Sequence, residues 1–198
     1  MSIRRRGADL EGAILDAVWA ELTARGYANL TMEAVAARAG TSRPVIARRW
    51  DSRAALAIAA LRRRMADYPL DVPDRGAIRA ELMEMLDLAA ERASALAATF
   101  VLFATEYFND NGATPSDLRA SLLEGEADCL GAILQRGVAR GEIDAGKLTR
   151  PIVNLLPDLF RQHALMTWSG PDPDLRAAWI DTIFLPLVRM PSEGKSRN

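Results

Sequence analysis

Arginine is the residue type with the most chemistry to offer in the first third of this 198-residue chain, and other reactive types are scarce throughout. Arg43, Arg48 and Arg49 crowd the stretch TSRPVIARRW at 41–50, Arg53 follows closely, and Arg4, Arg5 and Arg6 stand at the N-terminus. A guanidinium is permanently charged, and its planar fork fits both a phosphate and the O6/N7 edge of guanine. That is the chemistry of gripping a nucleic acid. Bond-making chemistry has little to work with. Cys129 is the single cysteine and His163 the single histidine, so an intrachain disulfide and a structural zinc site are both excluded. Cys129 reads as a small buried hydrophobe and His163 as a packing or hydrogen-bonding residue. Glu81, Glu84, Glu91 and Glu106 form no ligand set of the Glu-x-x-His kind, and no HExxH, GxSxG or phosphate-loop motif occurs. No enzyme activity, metal or cofactor is expected.

Charge separates the chain into two parts. Residues 1–64 carry a formal +6 and the remainder −7, giving the overall −1. A basic head on an acidic body implies that the head alone meets a polyanion. Composition leans to helix, being rich in Ala, Leu, Arg and Glu and poor in β-branched and aromatic residues. No apolar run approaches the roughly 18 residues of a membrane helix. The N-terminus has no apolar core of a secretory signal, so a cytoplasmic protein without membrane association is expected.

The elements that must position the arginines follow from periodicity and punctuation. Asp9 is placed to cap a first helix with Leu10, Ile14, Val18 and Leu22 inward, stopped by Gly26. Thr31 caps a second helix, Met32–Ala39. Gly40 breaks the chain, and Thr41 or Ser42 starts a third helix to about Trp50 with Pro44 in its first turn. Ser52 caps a fourth. The stretch DYPLDVPDRG marks a boundary between a head, 1–66, and a body, 67–198. In the body the spacing predicts helices from Asp74 to about Ala90, over 94–108, and for about 25 residues from Thr114 to Arg140. Two more run from Asp144 to Trp168, interrupted by Pro151 and Pro157, and over 174–189. The fold class is all-α, about nine helices with no strand.

A DNA-reading helix-turn-helix needs small apolar residues where its helices cross, a residue tolerant of positive φ at the turn, and a second helix with one inward and one outward face. Val35, Ala36 and Ala39 supply the crossing and Gly40 the turn. Ile46 and Trp50 lie on one face. At roughly 100° per residue, Arg48 points nearly opposite Ile46, flanked by Pro44 and Ala47, with Val45 at the edge. Ser42 and Arg43 sit at the end expected to enter the groove first. A structural hairpin meets the packing demands equally well but does not need the outward arginines.

Gly26, Thr31, Val35, Ala36, the run Ala39–Gly40–Thr41–Ser42, Ile46, Trp50, Arg53 and Leu56 together resemble the N-terminal signature of the tetracycline-repressor (TetR) family, over about residues 9–61. The segment ARGEIDA followed by two long helices is similar to the family's C-terminal region. The resemblance implies a transcriptional regulator, usually a repressor. Such a protein binds a near-palindromic double-stranded DNA operator as a homodimer and releases it when a small molecule occupies the C-terminal bundle. Three positions depart from the pattern: Val45 stands where the family usually has Thr, Ala47 where it has Tyr, and Arg53 where it has Lys. With two habitual contacts missing, binding must lean on other groups. Arg43 is a candidate for a guanine edge, Arg48 for bases or phosphate, Arg49, Arg53 and Thr31 for phosphates, and Arg4–Arg6 for an adjacent minor groove.

Within the body, Leu148, Ile152, Leu156, Leu159, Trp179, Ile183 and Leu187 have the spacing of a four-helix dimer interface. Met83, Leu86, Phe100, Phe103, Tyr107, Ile133, Phe160, His163 and Trp168 are candidates to line an effector pocket, apolar with a few polar points, for a hydrophobic or aromatic ligand. Ordinary core is the competing reading for each. Two alternatives stay open: a helix-turn-helix protein that senses nothing, and an interaction module with weakened DNA reading.

Overall fold

Ten α-helices and no strand are found among the described residues of the computed structural model, which describes residues 7–190 apart from the side chains at 98, 101, 102, 105, 110 and 111. Arg4, Arg5 and Arg6 lie outside the described residues. The helices are α1 (Ala8–Arg25), α2 (Met32–Ala39), α3 (Arg43–Ala47), α4 (Arg53–Ala66), α5 (Ile78–Asn111), α6 (Pro115–Leu123), α7 (Cys129–Ala139), α8 (Arg150–Thr167), α9 (Pro173–Ala178) and α10 (Leu185–Val188). A π-helical stretch, Trp179–Phe184, joins α9 to α10 in one helical run. No helix among the described residues is long and apolar enough to cross a membrane.

Several boundaries differ from the sequence expectation, each for a local reason. Gly7, not Asp9, is the N-cap of α1, and Asp9 and Glu11 lie in its first turn, where carboxylates favour the helix dipole. Regular α3 ends at Ala47, although the Trp50 amide still bonds to the Ile46 carbonyl at 3.1 Å. Asp74 starts no helix; its carboxylate accepts from the Gly76 amide at 2.8 Å, and α5 begins four residues later. The two helices expected over 74–108 are one, because no glycine or proline interrupts Ile78–Asn111. Conversely, the helix expected from Thr114 to Arg140 is two. Gly125, at φ 80°, breaks it, and Asp128 caps α7 by accepting from the Gly131 amide at 2.9 Å. Pro151 delays α8 to Arg150, since proline is tolerated in the first turn, while Pro157 is carried inside the helix.

The chain packs as two units. One comprises Met1–Asp67 with Leu96–Glu126, the other Tyr68–Ala95 with Ala127–Asn198. The core of the first joins Ile14, Val18, Leu22, Leu30, Val35, Ile46, Leu56 and Leu61 of the N-terminal helices to Phe103, Tyr107 and Leu118. The second is built from Leu82, Leu86, Ile133, Leu156, Ile180 and Phe184 among others. Within it Glu81, fully buried, accepts from Arg136 Nε at 2.8 Å and from the Arg75 amide at 3.1 Å, and pairs with Arg140 at 3.0 Å. That knot fastens the start of α5 to the end of α7. Cys129 is half-buried in this unit, and burial pushes its thiol up, away from the reactive thiolate.

Candidate nucleic-acid interface

The turn between α2 and α3 sets the geometry of the head. Thr31 caps α2 by accepting from the Ala34 amide at 3.1 Å. At the other end Gly40 adopts φ 65°, ψ 38°, its amide bonds to the Ala37 carbonyl, and the Thr41 amide reaches the Ala36 carbonyl at 3.0 Å. This is a Schellman closure, which needs a left-handed residue at that position. A Cβ on Gly40 would meet nothing within 4 Å, so glycine is there for its backbone and not for space. The turn delivers α3 with Ile46 fully buried against Val35, Ala36 and Ala39 in the core and with Trp50 packed beside them. Ser42, Arg43, Pro44, Ala47, Arg48 and Arg49 are exposed, and Thr41 and Val45 half-buried. Ser42 is the N-cap of α3, yet its side chain makes no capping bond.

The arginines on this face differ in how they are held. Arg43 Nε stands 2.9 Å from Glu33 of α2, with both side chains about two-thirds exposed. Arg49 donates to Glu11 of α1 at 2.7 Å. Arg53 donates to the Ala28 carbonyl at 3.0 Å, and its guanidinium lies 4.4 Å from the Tyr27 ring centroid. Arg48 has no ion pair among the described residues. Tyr27, 1% exposed, is edge-on to Phe103 (5.2 Å, 88°) and to Tyr107 (6.2 Å, 64°), and Glu106 accepts from the Ala28 amide. The α1–α2 loop is therefore gripped by α4 on one side and α5 on the other. Buried Glu21 pairs with Arg38 at 2.7 Å and fixes α1 to α2. Tyr27, Glu33, Glu11 and Glu106 were not among the sequence candidates. Their partners are 26, 10, 38 and 78 residues away, beyond any local pattern.

Comparison with known proteins decides the family. Residues 14–60 match the profile of bacterial regulatory proteins of the tetR family, and residues 72–183, more than half of the chain, match the tetracyclin repressor-like C-terminal domain. The chain belongs to the tetracycline-repressor family. Relatives include the DNA-binding transcriptional repressor TetR of Mycobacteroides abscessus, 28% identical over 93% of this chain and 96% of that one. Another is the HTH-type transcriptional regulator AqdR of Rhodococcus erythropolis, 31% identical over 84% of this chain and 79% of that one. Among solved structures, that of the flavonoid-responsive regulator FrrA superposes with a TM-score of 0.64 over 94% of this chain and all of that one, at 17% identity, a likeness of fold. The protein is a helix-turn-helix transcriptional regulator and not an enzyme.

Seen as a tetracycline-repressor family member, the chain distributes its other candidates over both units. Phe100, Phe103 and Tyr107 belong to the first, where Phe103 and Tyr107 are core residues beside Tyr27, and burial raises the Tyr107 phenol. The second holds Leu86 and Ile133, fully packed, with Phe160 half-buried and the His163 ring 6.0 Å from that of Trp179. Trp168, at φ 55°, closes α8 and is 56% exposed. Met83 lines an open cavity of about 500 Å³ with Asp87, Ala90, Ser94, Gly170 and Arg176. Of the interface candidates, Leu156 and Trp179 fill the second unit's own core. Leu148, Ile152 and Leu159 are half-buried, and Ile183 and Leu187 are 37% and 45% exposed.

Proposed function

We propose that this regulator is a repressor that binds a near-palindromic operator as a homodimer and lets go when a hydrophobic or aromatic small molecule binds its body. Residues 1–66 form the reading head and 67–198 the sensing and pairing body. The observation that carries the reading is α3 itself: a buried Ile46 anchor behind an exposed Ser42–Arg43–Arg48 face. Arg43 serves a base edge and Arg48 a base or a phosphate. Arg49, Arg53, Thr31, Thr41 and Ser42 serve phosphates, Pro44, Val45 and Ala47 shape the contact surface, and Arg4–Arg6 reach the neighbouring minor groove.

Pairing is supported by the apolar residues that one chain leaves bare on α8 and the last helical run: Leu165, Met166, Ile183 and Leu187. Half-buried Ile152 and Leu159 extend the same surface. For sensing, Met83, Leu86, Ile133, Phe160 and His163 supply the body's apolar wall with one polar point. Phe103 and Tyr107 tie the far end of α5 to the head. An effector acts only through its differential affinity for the two arrangements of the protein.

Selection of bound sequences from a random duplex library at two salt concentrations tests the reading. Expected is a near-palindrome with half-sites about 34–36 Å apart, one turn of DNA. Salt-sensitive binding with no enriched sequence would refute it.

A further inference from the structure

Glu33 is a residue on the proposed DNA-facing side whose sign is wrong for meeting phosphates, and its place beside Arg43 calls for a reason. The Schellman turn at Gly40 folds α3 back so that Arg43 in its first turn faces Glu33 in the first turn of α2, with Nε 2.9 Å from the carboxylate. A guanidinium presents two hydrogen-bonding edges, one made by Nε with a terminal nitrogen and one by the two terminal nitrogens. The Glu33 carboxylate pairs with the Nε end of Arg43 by charge, and its terminal nitrogens, the edge suited to guanine O6 and N7, make no hydrogen bond among the described residues.

We propose that Glu33 is a positioning residue for DNA reading: it aims Arg43 at a base edge and discourages it from settling on phosphate. This rests on the reading of Arg43 as a base-contacting residue. A long side chain biased by a neighbouring charge toward its bound orientation loses less freedom on binding. The same carboxylate repels the backbone of every duplex alike, so it lowers binding to wrong sequences and sharpens discrimination. Arg48 has no such guide among the described residues and suits phosphate. Arg49 is tied by Glu11 to α1 instead. Because an exposed ion pair contributes little to folding, its removal leaves the head intact.

The test uses the full chain as wild type, Glu33→Gln, Arg43→Ala and the double variant. Each is titrated against the duplex enriched by the wild type, the same duplex changed at the base pair whose preference Arg43→Ala relaxes, and a shuffled duplex. Glu33→Gln is expected to tighten binding to the shuffled duplex about threefold and to cut discrimination at that base pair by a similar factor, the size of one ion pair. In the Arg43→Ala background Glu33→Gln still tightens shuffled binding and no longer alters discrimination. If Glu33→Gln tightens all three duplexes equally while Arg43→Ala alone abolishes the preference, Glu33 is not positioning Arg43 and base reading by Arg43 stands. If Arg43→Ala changes no base preference, or no duplex is enriched, the underlying reading falls first.

Discussion

Replacing Tyr27 with leucine tests whether the seat of Arg53 governs DNA binding separately from stability. The ring is 1% exposed and meets Phe103 at 5.2 Å and Tyr107 at 6.2 Å, with Arg53 at 4.4 Å from its centroid. Exchanging a buried ring for a smaller aliphatic group costs about 1–2 kcal/mol in transfer and cavity terms. Each ring pair adds about 0.5–1.5 kcal/mol and the guanidinium stack about 0.5–1 kcal/mol. These overlap, so about 2–4 kcal/mol is expected, within the roughly 5–15 kcal/mol of a folded domain. Urea unfolding followed by circular dichroism gives the first number. Anisotropy titration with matched and shuffled duplexes gives the second, and both affinities should fall by about two- to fivefold if Arg53 serves phosphate as proposed. Phe103→Leu is the control: it removes two ring pairs, with Tyr27 and with Tyr107, while leaving the Tyr27 ring under Arg53, and should lower stability while leaving affinity within about twofold. A Tyr27→Leu protein that loses less than about 1 kcal/mol, or that weakens on one sequence only, would refute the argument.

Glu81→Ala strips a buried carboxylate from Arg136 and Arg140, a loss of about 3–5 kcal/mol. Urea unfolding should find the lower end, since Arg140 keeps Asp74 at 2.7 Å and Glu142 at 2.6 Å. Gly40→Ala forces a Cβ into the left-handed region and costs about 1–2 kcal/mol by the same measurement, although nothing crowds the site. Acid should destabilise the protein. Asp74 is held below the usual carboxylate range first by the Gly76 amide, Glu84 by its bond from Arg75, Asp117 by the Thr114 hydroxyl and Asp181 by Arg79. Their contribution is whole above the unfolded carboxylate pKa of about 4 and disappears as pH falls through the lower folded values. A melting temperature flat from pH 6 to pH 3 would contradict this.

How far the sequence spoke can be judged element by element. The head was legible because its signals are local. Thr31, Gly40 and Ser52 are caps and turns whose geometry depends on near neighbours, and the bounds of α2 follow from two of them. In α5 locality misled, for the change from an amphipathic to an all-round apolar pattern near Ser94 looks like a new helix. The structure instead carries one helix from one core into the other. The break between α6 and α7 escapes the pattern for the reverse reason, since Gly125, at positive φ, sits inside an otherwise periodic run. Pairings such as Glu81 with Arg136, or Glu33 with Arg43, leave no trace in spacing because tertiary folding makes them.

The head's formal charge overstates what DNA would feel. Arg38 is spent on Glu21, Arg49 on Glu11, Arg43 on Glu33, Arg62 on Glu124, and Arg63 and Arg64 share Asp16. A polyanion approaching this face meets mostly paired charges, with Arg48, just past the end of α3, making no ion pair among the described residues. Valine and alanine at 45 and 47 have no hydrogen-bonding side chain to add to the grip. Low affinity for DNA in general is the expected outcome on both counts. On the proposed reading, occupancy of an operator then depends on base contacts and on the doubling of contacts that a two-fold pair would supply. The carboxylates among the arginines make sense on those terms: they cost grip everywhere and cost it least where the sequence is right.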